Sequence, residues 1–446
     1  MKLSSSVKFL AALLFLIIIS SFVFHSPIYL YDLITGLQTS EFSIAWPSIR
    51  IFIEPFYSFT FYALTLNKDF YKPAIISWIL WTLCVVLVYC FLSKKTVYET
   101  IYNVIYLLVF FTALFSFVAL APVPGPTLLK PRDYIAIDAH CHTISSHDNV
   151  APAIISLKAH LRQGFDAFFN TEHNHTMGFA NFPEYAKFKI VYPGMQIQTR
   201  DGISIILLSS KEFDGLEYKN LGLVDTVNKA HKNNMFVVMP HWWKWRKYTF
   251  EELKNFGMDG FEIYNCGYRN FDKNEQNSLI NFAKENNLMM FGVTDWHGWG
   301  YMSDVWTVME GGSSENIERL LTRKPNTKVI LYRRERSVSV IRFIFEPFFF
   351  FYYYISNVDL KHLASFIVWI AAAFLVFRSH FWKYLKRFFA LIMTVAYAVG
   401  LVYFYIVTRS VVDTNTIVMN SVAPVAAGLC VLWFILWRFS GDNKTM

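Results

Sequence analysis

Long apolar stretches lie towards the two ends of the chain, and a mixed pattern fills the middle. Six stretches are apolar and long enough to cross a bilayer at about 20 residues each; they are 8–25, 73–92, 98–121, 361–378, 385–408 and 415–437. The first follows Lys2 and Lys8 and lacks a small-residue cleavage site, so we expect a retained signal anchor. The pattern predicts all-α transmembrane segments on both sides of a soluble insert.

An eight-residue motif occurs twice, once in each apolar end. Residues 49–56 read Ile-Arg-Ile-Phe-Ile-Glu-Pro-Phe, and residues 341–348 read Ile-Arg-Phe-Ile-Phe-Glu-Pro-Phe. The likeness indicates a duplicated membrane unit, with coincidence between two aromatic-rich segments as the alternative. Proline breaks a helix and a carboxylate is costly at mid-bilayer depth, which favours an interfacial or re-entrant segment in each copy.

Short apolar runs alternate with amphipathic stretches in the middle of the chain, after a linker rich in Pro and Gly at 121–126. Strands are expected at 134–139, 166–170, 188–192, 203–209, 235–240, 260–264, 289–294 and 329–332, with helices at 153–163, 224–233 and 275–287. This alternation predicts an α/β domain built as a parallel β/α barrel. We therefore expect membrane regions at 1–125 and 340–446, and a barrel domain at 130–335.

The composition agrees with a membrane protein that carries a soluble insert. Hydrophobic residues make up 54% of the 446 residues and charged residues only 17%, against about 25% charged in ordinary soluble domains. The net charge is +8, yet residues 130–336 hold 25 Lys and Arg against 24 Asp and Glu. The basic excess therefore flanks the apolar segments, where it suits membrane lipids, and a nucleic-acid partner is not expected.

The basic residues also set the expected orientation in the cell (inner) membrane. With six spans, those beside the spans share one side, which the positive-inside rule makes cytoplasmic. The middle domain then faces the periplasm or the extracellular space. If both Glu-Pro segments cross, the domain is cytoplasmic, and Arg333, Arg334 and Arg336 favour that alternative. The spacing of the five cysteines indicates neither a disulfide framework nor a zinc site, so it leaves the compartment open.

Histidines and carboxylates gather at the ends of the expected strands. Nine of the twelve histidines lie in the middle section. Asp138, His140 and His142 close the first expected strand there, and Asp295 and His297 close a late one. Alternate residues at a strand end point to the same side, and barrel enzymes carry their reactive groups at this end. Because imidazole and carboxylate are the usual donors for Zn, Mn or Fe, we expect a divalent-metal site.

These residues resemble the PHP family of metal-dependent phosphoesterases, named for polymerase and histidinol phosphatase. The matching motifs are Asp-Ala-His-Cys-His-Thr at 138–143, Thr-Glu-His-Asn at 171–174, His241, Gly-Phe-Glu-Ile-Tyr-Asn at 260–265 and Thr-Asp-Trp-His at 294–297. The resemblance covers residues 133–332, under half of the chain. It implies a distorted (β/α)7 barrel, a multinuclear metal centre and hydrolysis of phosphate esters.

The resemblance also implies roles for individual side chains. The implied metal ligands are His140, His142, His147, Asp148, His173, His241, Asp295 and His297. Glu172, Asp295 and His297 are implied to be catalytic, with Glu172 as a ligand, a partner of a ligand or a proton shuttle. Residues expected to support the ligands or contact substrate are Asp138, Gln196, Glu262, Trp242, Lys244 and Arg246.

The number of metals is the open point of this resemblance. Gln196 stands where the family has a bridging glutamate, and a neutral amide is a poorer bridge between cations. Two metals are expected, with one or three as alternatives. His147 and Asp148 replace the usual residues after the first histidines, and either one is a candidate ligand. The aromatic and basic run at 242–248 suits a phosphorylated headgroup, with a packed loop as the alternative.

The expected function is that of a multi-pass membrane phosphoesterase. A hydrolase tethered by several spans suits a phosphorylated substrate that is lipid-linked or lies close to the membrane, although a small-molecule substrate is also open. The alternative function is a membrane-anchored sensor or binding module in which the catalytic site has degenerated, and Gln196 motivates it. A transporter with a soluble insert is weaker, because each apolar end offers few spans.

Overall fold

The computed structural model describes ten main stretches of the chain, with short pieces between residues 54 and 104 and single positions at 317 and 341. The main stretches are 5–23, 30–52, 68–92, 125–149, 151–244, 246–267, 272–298, 302–311, 327–332 and 344–378. The chain divides into two compact units. One contains Met1–Pro27, Ser48–Ala121 and Arg336–Met446, and the other contains Ile28–Pro47 and Pro122–Glu335. Residues 28–47, expected in the first membrane region, therefore belong with the middle of the chain.

Helices and strands with defined bounds follow each other in a mixed order. The helices are α1 (Ser5–Val23), α2 (Lys68–Leu92), α3 (Ala153–Arg162), α4 (Leu223–Lys232), α5 (Phe250–Asn255), α6 (Lys273–Glu285), α7 (Glu346–Asn357) and α8 (Leu360–Arg378). The strands are β1 (Leu30–Asp32), β2 (Leu37–Thr39), β3 (Ser43–Ala45), β4 (Thr127–Leu129), β5 (Tyr134–Cys141), β6 (Ala167–His173), β7 (Val191–Gln198), β8 (Ser204–Leu208), β9 (Phe236–Met239), β10 (Gly260–Asn265), β11 (Met289–Val293), β12 (Val305–Glu310) and β13 (Thr327–Leu331).

The unit formed by the two ends of the chain contains α1, α2, α7 and α8. Among the residues that the structure describes, no helix combines the length and the hydropathy needed to cross a membrane. The spans expected at 8–25, 73–92 and 361–378 are therefore not supported. The expected span at 98–121 lies largely outside the described residues, and those at 385–408 and 415–437 lie wholly outside them.

The middle unit is a mixed α/β domain around one large sheet. Its strands run in the order β11-β10-β9-β8-β7-β6-β5-β12-β13-β1-β2. The segment after β11 returns to β5, where the amide of Asp295 donates to the carbonyl of His140 at 2.8 Å and Cys141 bridges to Trp296. This contact closes β5–β11 into a ring at the end where the histidines lie. At the other end β12 pairs antiparallel with β5.

The ring has an apolar interior and an outer layer of helices. Alternate residues of its strands share one buried cluster, for example Ile137 on β5, Phe169 on β6 and Val238 on β9. The opposite faces of β8–β10 pack with the apolar sides of α4 and α6. Strands covered on both faces read as continuous apolar runs, which is why the sequence predicted most of them within a few residues.

One connection departs from the expected alternation of parallel strands and helices. β7 and β8 pair antiparallel, as do β8 and β9, so β8 runs against its neighbours. The link between β7 and β8 is a tight turn in which the amide of Thr199 donates to the carbonyl of Ile203 at 2.8 Å, with Gly202 at a φ of 79°. A turn this short joins antiparallel strands only, because a parallel pair needs a crossover of a dozen or more residues.

Candidate metal centre

Two histidines and one carboxylate meet where the ring closes. Nε2 of His140 and Nε2 of His142 are 3.0 Å apart, and each lies 3.3 Å from Oδ1 of Asp295. His140 and His142 lie at and just after the end of β5, and Asp295 follows β11. All three are buried. We call this group the first cation position.

The remaining ring nitrogens of both histidines already have partners. Nδ1 of His140 lies 2.6 Å from Oε1 of Glu262, and Nδ1 of His142 lies 3.2 Å from Oγ of Ser146. With a hydrogen on each Nδ1, the two Nε2 lone pairs face each other and Asp295. Such a group of lone pairs is repulsive without a cation or a proton between them, and imidazole plus carboxylate suits a divalent metal. The donor set therefore fits the metal that the sequence predicted.

A second group of donors lies next to the first. Oδ2 of Asp148 is 3.3 Å from Nε2 of His173 and 3.1 Å from Nε2 of His297. The ring of His142 stacks on His173 at 4.3 Å and lies 4.8 Å from His297, measured between ring centroids. His147 is exposed and its ring centroid is 5.0 Å from that of His173. We call His173, His297 and Asp148 the second cation position.

A third group approaches the first from the side of β10. His241 lies 3.6 Å from Oε2 of Glu262 and 3.7 Å from Oδ2 of Asp295. Nδ2 of Asn265 contacts the same three side chains at 3.1 to 3.3 Å. Asn265 belongs to a motif that the sequence singled out, but its place at the centre of this group was not predicted. His241 and Asp295 have φ values of 44° and 47°, and such strain in residues other than glycine is typical of functional sites.

Glu172 supports the first cation position through hydrogen bonds to neighbouring residues. Its buried carboxylate accepts hydrogen bonds from the amide and hydroxyl of Thr143, the hydroxyl of Ser146 and the amide group of Asn170 at 2.8 Å. Ser146 in turn contacts Nδ1 of His142. Glu172 thus orients His142 through Ser146, and among its three implied roles the contacts favour the partner of a ligand. The sequence did not single out Ser146.

Asp138 joins the two strand ends that carry the first cation position. Its Oδ1 accepts from the amide of His140 at 3.2 Å and from the amide of Thr294 at 3.1 Å. Its Oδ2 contacts Nε2 of His160 at 3.1 Å and the hydroxyl of Thr294 at 2.5 Å. The supporting role expected for Asp138 has this geometry, while His160 is a contact that the sequence did not predict.

Charges at the first cation position favour metal binding once protons are removed. Burial opposes a charged His140, but Asp295 and Glu262 outweigh it and raise the pKa of His140 to about 9. Burial, and then His173, hold the pKa of His142 well below its usual value. Burial would raise the pKa of Asp295, yet His140 and His142 keep it well below its usual range. The carboxylate is thus ionised beside one neutral and one protonated imidazole at pH 7.

The second cation position behaves in the same way. Burial opposes ionisation of Asp148, but hydrogen bonds with His173 and His297 hold its pKa far below the usual range. Burial would lower the pKa of His297, whereas Asp148 and Asp295 raise it to about 9. A cation that binds His297 in place of its proton therefore meets an ionised carboxylate.

The other expected residues fall into two groups. Oε1 of Gln196 lies 3.1 Å from Nε2 of His140, and its amide nitrogen donates to Oγ of Ser204 at 3.1 Å, so its oxygen faces the first cation position. Trp242 is buried in the apolar layer outside the ring. Arg246 pairs with Glu275 at 2.7 Å, on an exposed surface. These contacts favour the packed loop at 242–248, and the side chain of Lys244 lies outside the described residues.

Comparison with known proteins gives likenesses at the level of structure only. No protein-family model matches the chain, and no curated protein matches it. A two-domain protein with a predicted PHP-like metal-dependent phosphoesterase from Bacteroides vulgatus matches 44% of this chain at 18% identity and a TM-score of 0.34; the chain covers 64% of it, under two thirds of its length. PsfC from Pseudomonas syringae matches 50% of the chain at 13% identity, 98% coverage of its own length and a TM-score of 0.35.

A lesion-specific endonuclease from Pyrococcus furiosus matches 44% of this chain and 57% of its own at 12% identity, with a TM-score of 0.34. Identities and TM-scores this low assign no function to the chain. The geometry of the two cation positions therefore has to support any assignment.

Proposed function

We propose that the chain is a metal-dependent phosphoesterase with a PHP-type domain in its middle unit. The observation that carries the proposal is the convergence of His140, His142 and Asp295 to within 3.3 Å, beside a second group centred on Asp148. Two adjacent cation positions suit in-line displacement at phosphorus, because the attacking and the leaving oxygen both need charge stabilisation.

Divalent metals held by His140, His142 and Asp295, and by His173, His297 and Asp148, would supply Lewis-acid stabilisation of a phosphoryl oxygen and a bound water of lowered pKa. The protein's own contribution is orientation. Glu262 accepts the Nδ1 hydrogen of His140 and leaves Nε2 directed into the site. Asp295 and His297 are the proposed catalytic residues, since both lie at the rim between the two positions, and Glu172 acts on His142 only through Ser146.

Hydrolysis of a chromogenic phosphate ester tests this function. The purified chain is assayed with p-nitrophenyl phosphate and bis-p-nitrophenyl phosphate in the presence of Mn²⁺, Zn²⁺ or Fe²⁺. We expect turnover that disappears in His140→Ala. The matched control is His231→Ala, because His231 lies on α4 and pairs with Asp259, away from the site. Absence of turnover with every metal and both esters would contradict the proposal.

A non-catalytic binding module is the second candidate, and Gln196 favours it. Its neutral amide oxygen lies 3.1 Å from Nε2 of His140, so this face of the first cation position lacks a negative charge. With one negative charge fewer, such a binding module should retain less metal. Elemental analysis that finds less than one metal per chain, together with no turnover, favours this second function.

The location and the substrate class are further parts of the proposal. We propose that the chain acts at the cell membrane on a phosphorylated substrate that is lipid-linked or close to the membrane. Its support is the apolar sequence at both ends and the exposed apolar side chains on α2, of which Phe91 is 82% exposed and Leu92 is 72% exposed. The test is fractionation of cells followed by a reporter fusion after residue 130. Recovery of the full chain in the soluble fraction without detergent contradicts it.

A further inference from the structure

A buried histidine behind the metal centre carries the first inference, which rests on the proposed function. His160 on α3 is fully buried, and its ring stacks on Phe168 at a centroid distance of 3.8 Å. Nδ1 of His160 lies 2.8 Å from the carbonyl oxygen of Ser156, and Nε2 lies 3.1 Å from Oδ2 of Asp138. A carbonyl oxygen can only accept a hydrogen bond, so Nδ1 carries a hydrogen.

The other ring nitrogen also faces an acceptor. Asp138 already accepts two backbone amides on Oδ1 and the hydroxyl of Thr294 on Oδ2. Nε2 of His160 adds a fourth contact to the same carboxylate. One carboxylate thus joins α3 to the backbone of His140 and of Thr294, the residue before Asp295.

We propose that His160 is a positioning residue for the metal centre. It holds the Asp138 carboxylate in the orientation that keeps the end of β5 and the segment after β11 together. The separation of 3.3 Å between His140 and Asp295 depends on that joint. His160 acts on the cation only through Asp138, so we expect its loss to lower the metal affinity.

The test compares two substitutions by calorimetric titration with Mn²⁺, with no substrate present. His160→Leu removes the contact with Asp138, and we expect Mn²⁺ affinity to fall about tenfold or more, the usual effect of losing a residue that orients a ligand. His160→Gln keeps an N–H for Asp138, and we expect it to recover most of the affinity. Equal and unchanged affinity in both variants, with lowered thermal stability alone, would overturn the proposal.

A second readout remains if the variants fail to fold. Nitrogen-15 NMR of histidine-labelled wild-type protein should show Nε2 of His160 in a hydrogen bond with a carboxylate, and a His160 ring with no hydrogen bond at Nε2 would overturn the proposal. This signal needs neither metal nor turnover. A chain with this signal and no hydrolysis therefore refutes the proposed function and leaves the pairing of His160 with Asp138 standing.

An independent observation concerns the repeated Glu-Pro motif in the unit formed by the chain ends. The likeness between the two copies continues further along the chain, since residues 77–81 read Ser-Trp-Ile-Leu-Trp and residues 365–369 read Ser-Phe-Ile-Val-Trp. The first of these segments lies on α2 and the second on α8. In each copy the serine and the last tryptophan are one helical turn apart and share a face.

These helix faces contact the motif of the opposite copy. Oγ of Ser77 and Nε1 of Trp81 donate to the carbonyl of Ile344 at 3.4 and 2.6 Å. Oγ of Ser365 donates to the carbonyl of Ile51, and Nε1 of Trp369 donates to the carbonyl of Phe52 at 2.8 Å.

Phe52 and Ile344 occupy the same position of the two motifs. Each Ser–Trp pair therefore donates to backbone carbonyls of the other copy just before its Glu-Pro pair.

The glutamates of both motifs are fully buried. In the first copy Arg50 binds Glu54 through two contacts of 2.6 and 3.0 Å, and Ser58 donates to the same carboxylate at 2.5 Å. Glu346 of the second copy is equally buried. A buried carboxylate needs such partners, and loss of one partner is costly. The repeated motif thus places a buried glutamate beside each exchanged contact, and in the first copy Arg50 pairs with it.

We infer that the two copies bind each other. The helix of each copy contacts the motif of the other, and a pseudo-twofold axis relates the two copies. The full chain tests this, with Cys84 and Cys430 replaced by serine and a protease site in the linker at 121–126. Pairs of cysteines at 77 with 344 and at 365 with 51 should cross-link through a short thiol reagent and hold the two fragments together after cleavage. The matched pairs at 77 with 51 and at 365 with 344 should not cross-link. Linkage within copies, or in no pair, overturns the inference.

Discussion

Binding of the first cation should depend steeply on pH, because it displaces a proton from His140. Asp295 and Glu262 raise the pKa of His140 to about 9, so the metal-free protein holds this proton at pH 7. A metal that takes the Nε2 lone pair must release it. Between pH 9 and pH 7 the apparent affinity should fall about 50-fold for one displaced proton, because half of the His140 side chains are already deprotonated at pH 9.

Metal affinity increases with pH because the pKa of His140 lies above its usual value. Affinity rises as the pH approaches 9 and levels off above it. In the metal-free protein the same shift stabilises the folded state most below pH 6.5, and this stabilisation is lost as the pH rises through about 9. The metal-free chain should therefore unfold more readily at pH 9 than at pH 6.5, whereas excess metal should reverse that order.

Isothermal titration with Mn²⁺ in two buffers of different ionisation enthalpy measures the released proton directly. At pH 7 we expect about one proton per cation at the first position. His231→Ala is the control and should release the same number, since it lies away from the site. No proton release at pH 7, together with an affinity that is constant from pH 6.5 to 8.5, would refute the role of His140 as a ligand.

Three substitutions test other parts of the middle unit. Gln196→Glu places a negative charge at the first cation position and should raise the number of metals retained per chain in elemental analysis; an unchanged number argues against a limiting role for this amide. Ser146→Ala should weaken Mn²⁺ binding about tenfold by freeing a ligand ring, while Ser278→Ala on the exposed face of α6 should leave titrations unchanged. Phe291→Ala should lower the free energy of unfolding, measured with denaturant, by about 3–5 kcal/mol. Met177 is 70% exposed, so Met177→Ala should lower it little. Equal losses in the two variants would contradict the apolar interior of the ring.

Most of the middle unit was predictable because its signals are local. Strands buried on both faces give continuous apolar runs, and the residues of β9 and β11 show this over their whole length. The convergence of histidines and carboxylates at the strand ends was also predictable, since a parallel strand carries its C-terminal residues to a common rim. His140, His142 and Asp295 come together there, as the motifs implied.

Other features depend on contacts between distant residues, and the sequence has no pattern for them. The strands within residues 30–45 are three residues long, too short for a periodicity signal. β1 joins the large sheet by pairing with β13, which is distant in the sequence. The antiparallel course of β8 follows from the turn at Gly202. The sequence could not show that Arg246 pairs with Glu275, because both charges also suit solvent.

The role of Glu172 shows the same limit at the level of the site. The motif brings the Glu172 carboxylate to the end of β6. Thr143 and Ser146, which lie on another segment, donate hydrogen bonds to this carboxylate. The membrane spans were predicted from the length of continuous apolar stretches, and among the described residues the helices do not meet the required length and hydropathy. The membrane location therefore stays a proposal with its own test.

The most direct test of the central claim is the position of bound manganese in crystals of the protein, read from anomalous scattering. The account predicts one peak between Nε2 of His140, Nε2 of His142 and Oδ1 of Asp295, and a second, weaker peak beside Asp148. Asp295→Asn should remove the first peak. Crystals soaked in Mn²⁺ that show no peak at these side chains, or peaks only at other places on the surface, would contradict the claim that the strand ends of the ring hold a metal centre.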